Sequence, residues 1–225
     1  MEFESTFTGF ADRSEAGRRL AKSLSHYRGK PDTMVVGLPR GGVVTAAEIA
    51  EDLELPLDVL VVRKLGTPGH EELAMGAIGP GGVRVLNEDV ISSLRIGPDE
   101  IESVVRRERI ELQRRERRYR GDQPPLGFAG RTVIVVDDGL ATGSTMAAAI
   151  AVIRRHKPAR IVLAVPVAPV ETCEHFRRLV DELVYLETPE PFQAVGYWYV
   201  DFGQVEDQDV VRTLARVRSR AGAAV

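Results

Sequence analysis

Two adjacent aspartates followed by a loop of small and hydroxyl-bearing residues are the part of this sequence best suited to chemistry. Asp137 and Asp138 end a run of four apolar β-branched residues, which is typical of a strand buried on both faces. The loop at residues 139–145 carries three hydroxyls, and an alanine-rich segment predicts a helix that begins near Ser144. The N–H groups and positive dipole of a helix start favour anions. These residues therefore predict a pocket for a phosphate dianion.

The two carboxylates must serve a different part of the same ligand, because they would repel its phosphate. Vicinal sugar hydroxyls donate to carboxylates directly, or they can bind through Mg²⁺ held by Asp137 and Asp138. Successive strand residues point to opposite faces, so we expect one aspartate to face the sugar and the other to lie nearer the ring or the metal. A phosphate beside a diol predicts a ribose 5-phosphate.

A second glycine-rich turn, Gly-Leu-Pro-Arg-Gly-Gly-Val at residues 37–43, also follows a predicted strand and opens a predicted helix. Gly41 and Gly42 free the backbone to present N–H groups, and the guanidinium of Arg40 adds a fork of donors. A tight turn without a ligand could have the same composition. The position of this turn, at the same predicted sheet edge as Asp137, favours a second anion subsite.

Over roughly residues 33–166 the sequence resembles the type I phosphoribosyltransferases, whose signature is an apolar strand, two acidic residues and a loop ending Thr-Gly-x-Thr. The loop is similar to that of adenine phosphoribosyltransferases. The chain also resembles a bacterial group of predicted phosphoribosyltransferases with an unassigned acceptor, through Leu-Pro-Arg-Gly-Gly-Val and Val-Gly-x-x-Tyr-x-Asp-Phe. The resemblance implies transfer of a phosphoribosyl group from 5-phosphoribosyl-1-pyrophosphate to a nitrogenous aromatic base, with Mg²⁺ and release of pyrophosphate.

The resemblance also implies roles for individual residues. Asp137 or Asp138 would stabilise an oxocarbenium-like ribose, while Arg40 and Lys64 would neutralise the departing pyrophosphate. Arg63-Lys64 would end the predicted strand at residues 57–63 and precede a mobile loop at residues 65–75. The implied substrate-binding residues are Gly41, Gly42, Arg63, Ala141, Thr142, Gly143, Ser144 and Thr145.

The sequence departs from the family pattern at two places. Residues 65–83 contain no lysine or arginine, although such loops often bring a cation to pyrophosphate. His70 in this segment could be a general acid, a pyrophosphate contact or a solvated surface residue. Ala141 stands where enzymes acting on 6-oxopurines carry an aspartate, and alanine cannot transfer that proton. Because the segment lacks cations, a non-catalytic sensor of phosphoribosyl pyrophosphate or a nucleotide is the alternative function.

Apolar runs and helical patterns alternate along the chain and predict an α/β fold with a central parallel sheet flanked by helices. The predicted strands are residues 33–38, 57–63, 132–137, 160–165 and 183–186, and the predicted helices are residues 14–27, 43–53, 99–119, 144–156 and 170–179. Residues 74–78 and 83–86 predict a hairpin around four residues that include three glycines; a phosphate loop is the alternative there.

The ends of the chain are expected to form a small hood over the acceptor. We predict a single domain over residues 1–225, with a core at about 30–188 and a hood from about 1–29 and 189–225. Phe192 and Trp198 are the candidates for contact with an aromatic base, and Phe10 and Arg13 are weaker candidates for parts of the same lid. Alternation within the aromatic segment places Tyr197 and Tyr199 on one face.

Composition limits the remaining partners. With 44% apolar and 28% charged residues, a net charge of −3 and no long apolar run, we expect neither membrane nor nucleic-acid binding and a cytoplasmic location. Arginines and glutamates alternate in residues 99–120, which favours a solvated or dimer-flanking helix over RNA binding. The expected partners are phosphoribosyl pyrophosphate, a small-molecule acceptor and a second copy in a homodimer. The single cysteine, Cys173, has no partner for an internal disulfide.

Overall fold

The computed structural model describes residues 9–124 and 126–223, and a parallel sheet lies at its centre. The outermost parts of the predicted hood, residues 1–8 and 224–225, lie outside the described residues. The strands of this sheet are β1 (Thr33–Gly37), β2 (Leu57–Val59), β6 (Thr132–Val136), β7 (Arg160–Val167) and β8 (Glu182–Glu187). Their order across the sheet is β2-β1-β6-β7-β8, and every neighbouring pair is parallel. The predicted α/β architecture is confirmed.

Helices cover both faces of this sheet. The helices of the described residues are α1 (Arg13–Ser23), α2 (Gly41–Leu53), α3 (Glu88–Leu94), α4 (Pro98–Arg120), α5 (Ser144–Arg155), α6 (Val170–Arg177) and α7 (Asp207–Ala223). Alternate residues of β6 enter different hydrophobic clusters: Ile134 and Val136 pack in the cluster with α1, α2, α4 and α7, while Val133 and Val135 pack in the cluster with α5 and α6. Burial on both faces explains why this strand is an uninterrupted apolar run.

A second, antiparallel sheet projects from the core. Its strands are β3 (Arg63–Thr67), β4 (His70–Ile78) and β5 (Arg84–Leu86), in the order β3-β4-β5. The predicted hairpin between residues 74–78 and 83–86 is confirmed, with Gly76 opposite Leu86 and Ile78 opposite Arg84. A strand rather than a helix follows the glycines between them, as expected of a turn.

One prediction for the segment before this hairpin is wrong. The predicted strand at residues 57–63 ends at Val59, and Arg63 begins β3 instead. Residues 65–75, for which the resemblance implies a mobile loop, form most of a β-hairpin that turns at Pro68 and Gly69. The first half of β4 is exposed on both faces, so it lacks the apolar alternation that identifies a strand.

Helices α3 and α7 were not among the predicted elements, whereas the helix predicted at residues 99–119 is confirmed as α4. The aromatic segment forms a 3-10 turn at Val195–Trp198 rather than a strand. Tyr197 is therefore 67% exposed while Tyr199 is 5% exposed, and the prediction that they share a face is wrong. Within the described ranges, 9–124 and 126–223, no helix is both long and apolar enough to span a bilayer.

The strand order creates a crevice in the middle of the sheet. From β1 the chain passes through α2 to β2 on one side, and from β6 it passes through α5 to β7 on the other. The connections that follow β1 and β6 therefore run in opposite directions although the two strands are neighbours. Open α/β sheets bind ligands outside the carboxyl ends of such strands. Both glycine-rich turns identified in the sequence follow these two strands.

Candidate functional site

The two turns meet at the crevice because glycine allows their backbones to approach closely. A Cβ atom built on Gly41 would lie 1.9 Å from Oδ2 of Asp138, and one built on Gly42 would lie 2.8 Å from Oδ1 of Asp137. Any larger residue would push the carboxylates out of place. Gly41 and Gly42 of the first turn are thus brought together with Asp137 and Asp138.

The predicted phosphate loop surrounds an open pocket at the start of α5. This pocket has a volume of about 160 Å³ and is lined by Asp137, Gly139, Leu140, Ala141, Thr142, Gly143, Ser144, Thr145 and Met146. Gly143 immediately precedes the helix with a left-handed φ of 69°. The Thr142 hydroxyl accepts from the Ser144 amide at 3.5 Å. Helix N–H groups and hydroxyls thus line one small concavity suited to an anion.

Helix α6 supports the phosphate loop from behind. The Thr172 hydroxyl donates to the Ala141 carbonyl at 2.9 Å. The ring of Phe176 fills the space beside Gly143, so that a Cβ on that glycine would lie 2.4 Å from Cε2 of the ring. Both supporting residues are buried, and they fix the loop through one hydrogen bond and one packing contact.

The aspartate pair places two carboxylates next to each other in the crevice. The Asp138 amide donates to Oδ1 of Asp137 at 2.9 Å. Burial, together with the neighbouring charge of Asp138, raises the pKa of Asp137 well above its usual range. A bound cation or several hydroxyl donors would relieve this penalty, so the pair is suited to a sugar diol or a metal.

A segment predicted for the hood contributes a cation to this aspartate pair. Nε of Arg13, at the start of α1, lies 2.6 Å from Oδ2 of Asp138, and both side chains are largely buried. Nη1 of Arg13 donates to the Gly203 carbonyl at 2.9 Å. The guanidinium carbon lies 3.8 Å from the centroid of the Phe202 ring. Arg13 is thus held by a carboxylate, a carbonyl and an aromatic face, and it joins the hood to the crevice.

Tyr199 is a second connection between the hood and Asp138. Its hydroxyl donates to the Asp138 carbonyl at 2.5 Å. Burial and the nearby Asp138 charge raise the pKa of Tyr199, so the phenol stays protonated as a donor. Phe10 forms a β-bridge with Tyr199, which brings the two ends of the chain together.

The remaining predicted cations do not all lie where the family resemblance implies. Lys64 Nζ is 3.2 Å from the Ser144 hydroxyl, so this cation borders the phosphate loop. Arg40 lies 3.8 Å from Glu206, which precedes α7. Arg63 forms an ion pair with Glu108 of α4 at 2.6 Å. In this structure only Lys64 of these three lies beside the predicted phosphate pocket.

The candidates for base contact lie in a small aromatic cluster. Phe192 and Trp198 pack with Phe10, Tyr199 and Phe202. The indole N–H of Trp198 is buried without a hydrogen-bond partner among the described residues, which is costly for a polar group. His70 lies at the exposed tip of the β3–β4 hairpin, beside residues 71–73 and Leu94.

Four residues at or beside the site carry contacts that the sequence did not predict. They are Arg13, Thr172, Tyr199 and Glu206. Arg13 and Tyr199 belong to segments predicted for the hood, but their contacts with Asp138 depend on the tertiary fold. Neither Thr172 nor Glu206 belongs to a recognisable motif, so no local signal could have identified them.

The donor set fits a Mg²⁺ ion shared with a substrate. In the described part of the chain, no cluster of three or more His, Cys, Asp or Glu side chains could hold a metal on its own. Mg²⁺ commonly binds to one or two carboxylates and completes its shell with substrate oxygens and water. Asp137 and Asp138 provide such a pair, and their mutual repulsion favours a cation between them and the ligand.

Comparison with known proteins defines the class. A model of the family described as "Phosphoribosyl transferase domain" matches residues 12–197, and the chain belongs to this family. The predicted family and fold are therefore confirmed.

Two relatives show how far this similarity extends. The crystal structure of TT1426 from Thermus thermophilus is 43% identical, has a TM-score of 0.84, and covers 93% of this chain and 99% of that chain. A Mycobacterium tuberculosis H37Rv protein named "Putative phosphoribosyl transferase Rv0571c" is 48% identical over 207 residues, covering 92% of this chain and 46% of that protein. Its counterpart in strain CDC 1551 matches equally. This chain spans about half the length of these two curated relatives.

Proposed function

We propose that this protein transfers the phosphoribosyl group of 5-phosphoribosyl-1-pyrophosphate to a ring nitrogen of an aromatic base. In this reaction the bond between C1 of the ribose and the pyrophosphate oxygen breaks, and a bond from the nitrogen to C1 forms. Pyrophosphate leaves with the bonding electron pair, and the nitrogen loses its proton.

One observation carries this proposal: two glycine-rich turns and a carboxylate pair converge at the junction of β1 and β6. A ligand with a phosphate at one end, a diol in the middle and a pyrophosphate at the other would meet these three parts in turn. Family membership supports the same reading. The predicted single domain with a hood fits this arrangement, since the aromatic cluster of the hood is joined to the crevice through Arg13 and Tyr199.

The residues of the chain divide the work among them. The amides and hydroxyls of residues 141–145 would bind the 5-phosphate, with Lys64 alongside. Asp137 and Asp138 would accept from the ribose hydroxyls and stabilise positive charge on the ring as the C1–O bond lengthens. The Gly41 and Gly42 backbone would receive the pyrophosphate.

Mg²⁺ held by Asp137 and Asp138, when bound, would neutralise charge on the phosphate groups. The hood would exclude water from C1, because water is a competing nucleophile. Arg40 would add a positive charge at the pyrophosphate end after separating from Glu206, to which it is only weakly paired at 3.8 Å. Phe192 and Trp198 remain the proposed contacts of the base, and His70 would reach the ligand only if the hairpin tip bends over the crevice.

A sensor that binds phosphoribosyl pyrophosphate without turning it over is the second candidate. Two observations favour it: residues 65–83 contain no lysine or arginine, and Asp138 is already paired with Arg13. A sensor needs only ground-state binding, whereas an enzyme must bind the transition state more tightly.

The two candidates can be separated by incubating the protein with Mg²⁺, labelled phosphoribosyl pyrophosphate and a panel of purines, pyrimidines and pyridine carboxylates. Release of pyrophosphate that depends on one base would establish the transferase and identify its acceptor. Tight binding without consumption across the panel would establish the sensor. Absence of binding would refute both, and the oligomeric state can be measured on the same sample to test the proposed homodimer.

A further inference from the structure

Arg13 occupies the point where the hood, the aspartates and the pyrophosphate turn come together. Its Nε is 2.6 Å from Asp138 Oδ2 and would be 2.8 Å from a Cβ built on Gly41. The guanidinium therefore lies directly against the backbone of the turn proposed to receive pyrophosphate. Its side chain is only 11% exposed, so this charge is held in a low-dielectric environment.

The three cations implied by the family resemblance contact other groups. Lys64 borders the 5-phosphate loop, Arg63 is paired with Glu108 on α4, and Arg40 faces Glu206. The β3–β4 hairpin itself supplies no cation beyond Arg63 and Lys64 at its base. Among the described residues, the pyrophosphate end of the crevice thus has its nearest buried positive charge in the hood.

We propose that Arg13 is a substrate-binding residue that contacts the pyrophosphate of the bound ligand and supplies the charge that the hairpin lacks. The inference rests on the proposed function. In the unliganded protein Asp138 neutralises Arg13. When the ribose hydroxyls or Mg²⁺ engage Asp138, the guanidinium is released from that carboxylate and donates to the pyrophosphate beside Gly41. Phe202 and the Gly203 carbonyl keep the guanidinium in position during this exchange of partners.

A second arginine on α1 makes similar contacts away from the crevice and provides a matched control. Arg19 forms an ion pair with Glu187 at 2.9 Å, and its guanidinium carbon lies 4.7 Å from the centroid of the Phe10 ring. Arg13 and Arg19 therefore lie on the same helix, and each pairs with a carboxylate and contacts an aromatic ring of its own. They differ in their distance from the pyrophosphate turn.

The test compares two ligands that differ only by pyrophosphate. Isothermal calorimetry with Mg²⁺ measures the affinity of wild type, Arg13→Gln and Arg19→Gln for 5-phosphoribosyl-1-pyrophosphate and for ribose 5-phosphate. We expect Arg13→Gln to lower the affinity for 5-phosphoribosyl-1-pyrophosphate by ~10- to 100-fold, the range for hydrogen bonds between charged groups. Binding of ribose 5-phosphate should change less than about threefold, and Arg19→Gln should leave the ratio of the two affinities unchanged.

The other outcomes are equally decisive. An equal loss of affinity for both ligands in Arg13→Gln would show that Arg13 only supports the fold of the site. Tighter binding of both ligands would show that Arg13 only blocks Asp138. Either result overturns the inference but leaves the proposed function standing. If the wild type binds neither ligand, the proposed function fails, and the inference fails with it. Should Arg13→Gln not fold, Arg13→Lys retains the charge without the forked donors of the guanidinium. A selective loss of affinity for 5-phosphoribosyl-1-pyrophosphate remains the expected result for this variant.

Discussion

The phosphate loop depends on a glycine that two separate physical constraints require, and a single substitution can measure both. Gly143 has a left-handed φ of 69°, which costs an L-residue ~1–2 kcal/mol. A Cβ at this position would lie 2.4 Å and 2.8 Å from two atoms of the Phe176 ring, far inside the ordinary contact distance. Overpacking of this kind costs ~1–3 kcal/mol. We therefore expect Gly143→Ala to lower the free energy of unfolding by about 2–5 kcal/mol.

Gly130 separates the two contributions. It has a similar φ of 71°, but a Cβ there would meet nothing within 4 Å. Gly130→Ala should lose only the conformational part, reduced slightly because alanine restricts the unfolded chain. The difference between the two variants, about 1–3 kcal/mol in urea denaturation, is the cost of the contact with Phe176.

The same variants test the function of the loop. If the ring forces the loop outward, Gly143→Ala should lose affinity for ribose 5-phosphate by calorimetry, whereas Gly130→Ala should bind it like the wild type. Phe176→Leu in the Gly143→Ala background should recover part of the affinity by making room for the methyl group. Equal destabilisation by the two alanines, or unchanged ligand affinity in Gly143→Ala, would refute the reasoning.

Three further predictions follow from the contacts at the crevice. The pKa of Asp137 is higher in the folded protein than in the unfolded chain, so between these two pKa values the folded protein binds more protons and its free energy of unfolding should fall as pH rises. Asp137→Asn should remove this fall, measured by urea denaturation at several pH values, and should also weaken ligand binding. An unchanged pH profile in the variant would contradict the prediction. Tyr199→Phe should lower the free energy of unfolding by about 1–3 kcal/mol in thermal or urea unfolding, because the Asp138 carbonyl loses its hydrogen-bond donor. The control Tyr197→Phe, at an exposed position, should change it by no more than about 0.5 kcal/mol. Similar losses in the two variants would show that the hydrogen bond contributes little. Lys64→Gln should weaken the binding of ribose 5-phosphate more than that of free pyrophosphate in calorimetric titrations, since Nζ lies 3.2 Å from the Ser144 hydroxyl. A larger effect on pyrophosphate binding would place this cation at the pyrophosphate instead.

Local patterns were sufficient to predict the central sheet. The run from Val133 to Val136 indicated a strand covered on both faces, and the structure divides its residues between two hydrophobic clusters. The small residues after Asp138 indicated a loop and a helix start, which the structure places at Ser144. Each of these signals is contained within a few consecutive residues, where periodicity and backbone preference act directly.

The rest depended on interactions between distant parts of the chain. The first half of β4 is solvent-exposed and is stabilised by pairing with β3 rather than by an apolar face, so its sequence has no apolar alternation that would predict a strand. The contact of Arg13 with Asp138 joins residues 125 positions apart. Nothing near either residue specifies the other, and a fixed backbone was needed to show that the hood reaches the aspartates.

That sequence separation also affects how the protein folds. Closing a loop of this length in an unfolded chain costs about 4 kcal/mol of entropy beyond a constant term, and the bridge between Phe10 and Tyr199 encloses a still longer segment. The β6–loop–α5 unit is local, whereas the contacts between residues 10–13 and 198–203 require both segments to be in place. During synthesis the hydrogen bond from Tyr199 to Asp138 would therefore form only after Tyr199 has left the ribosome. In the folded protein, Asp138 is therefore held by residues that are remote in sequence from those lining the phosphate pocket.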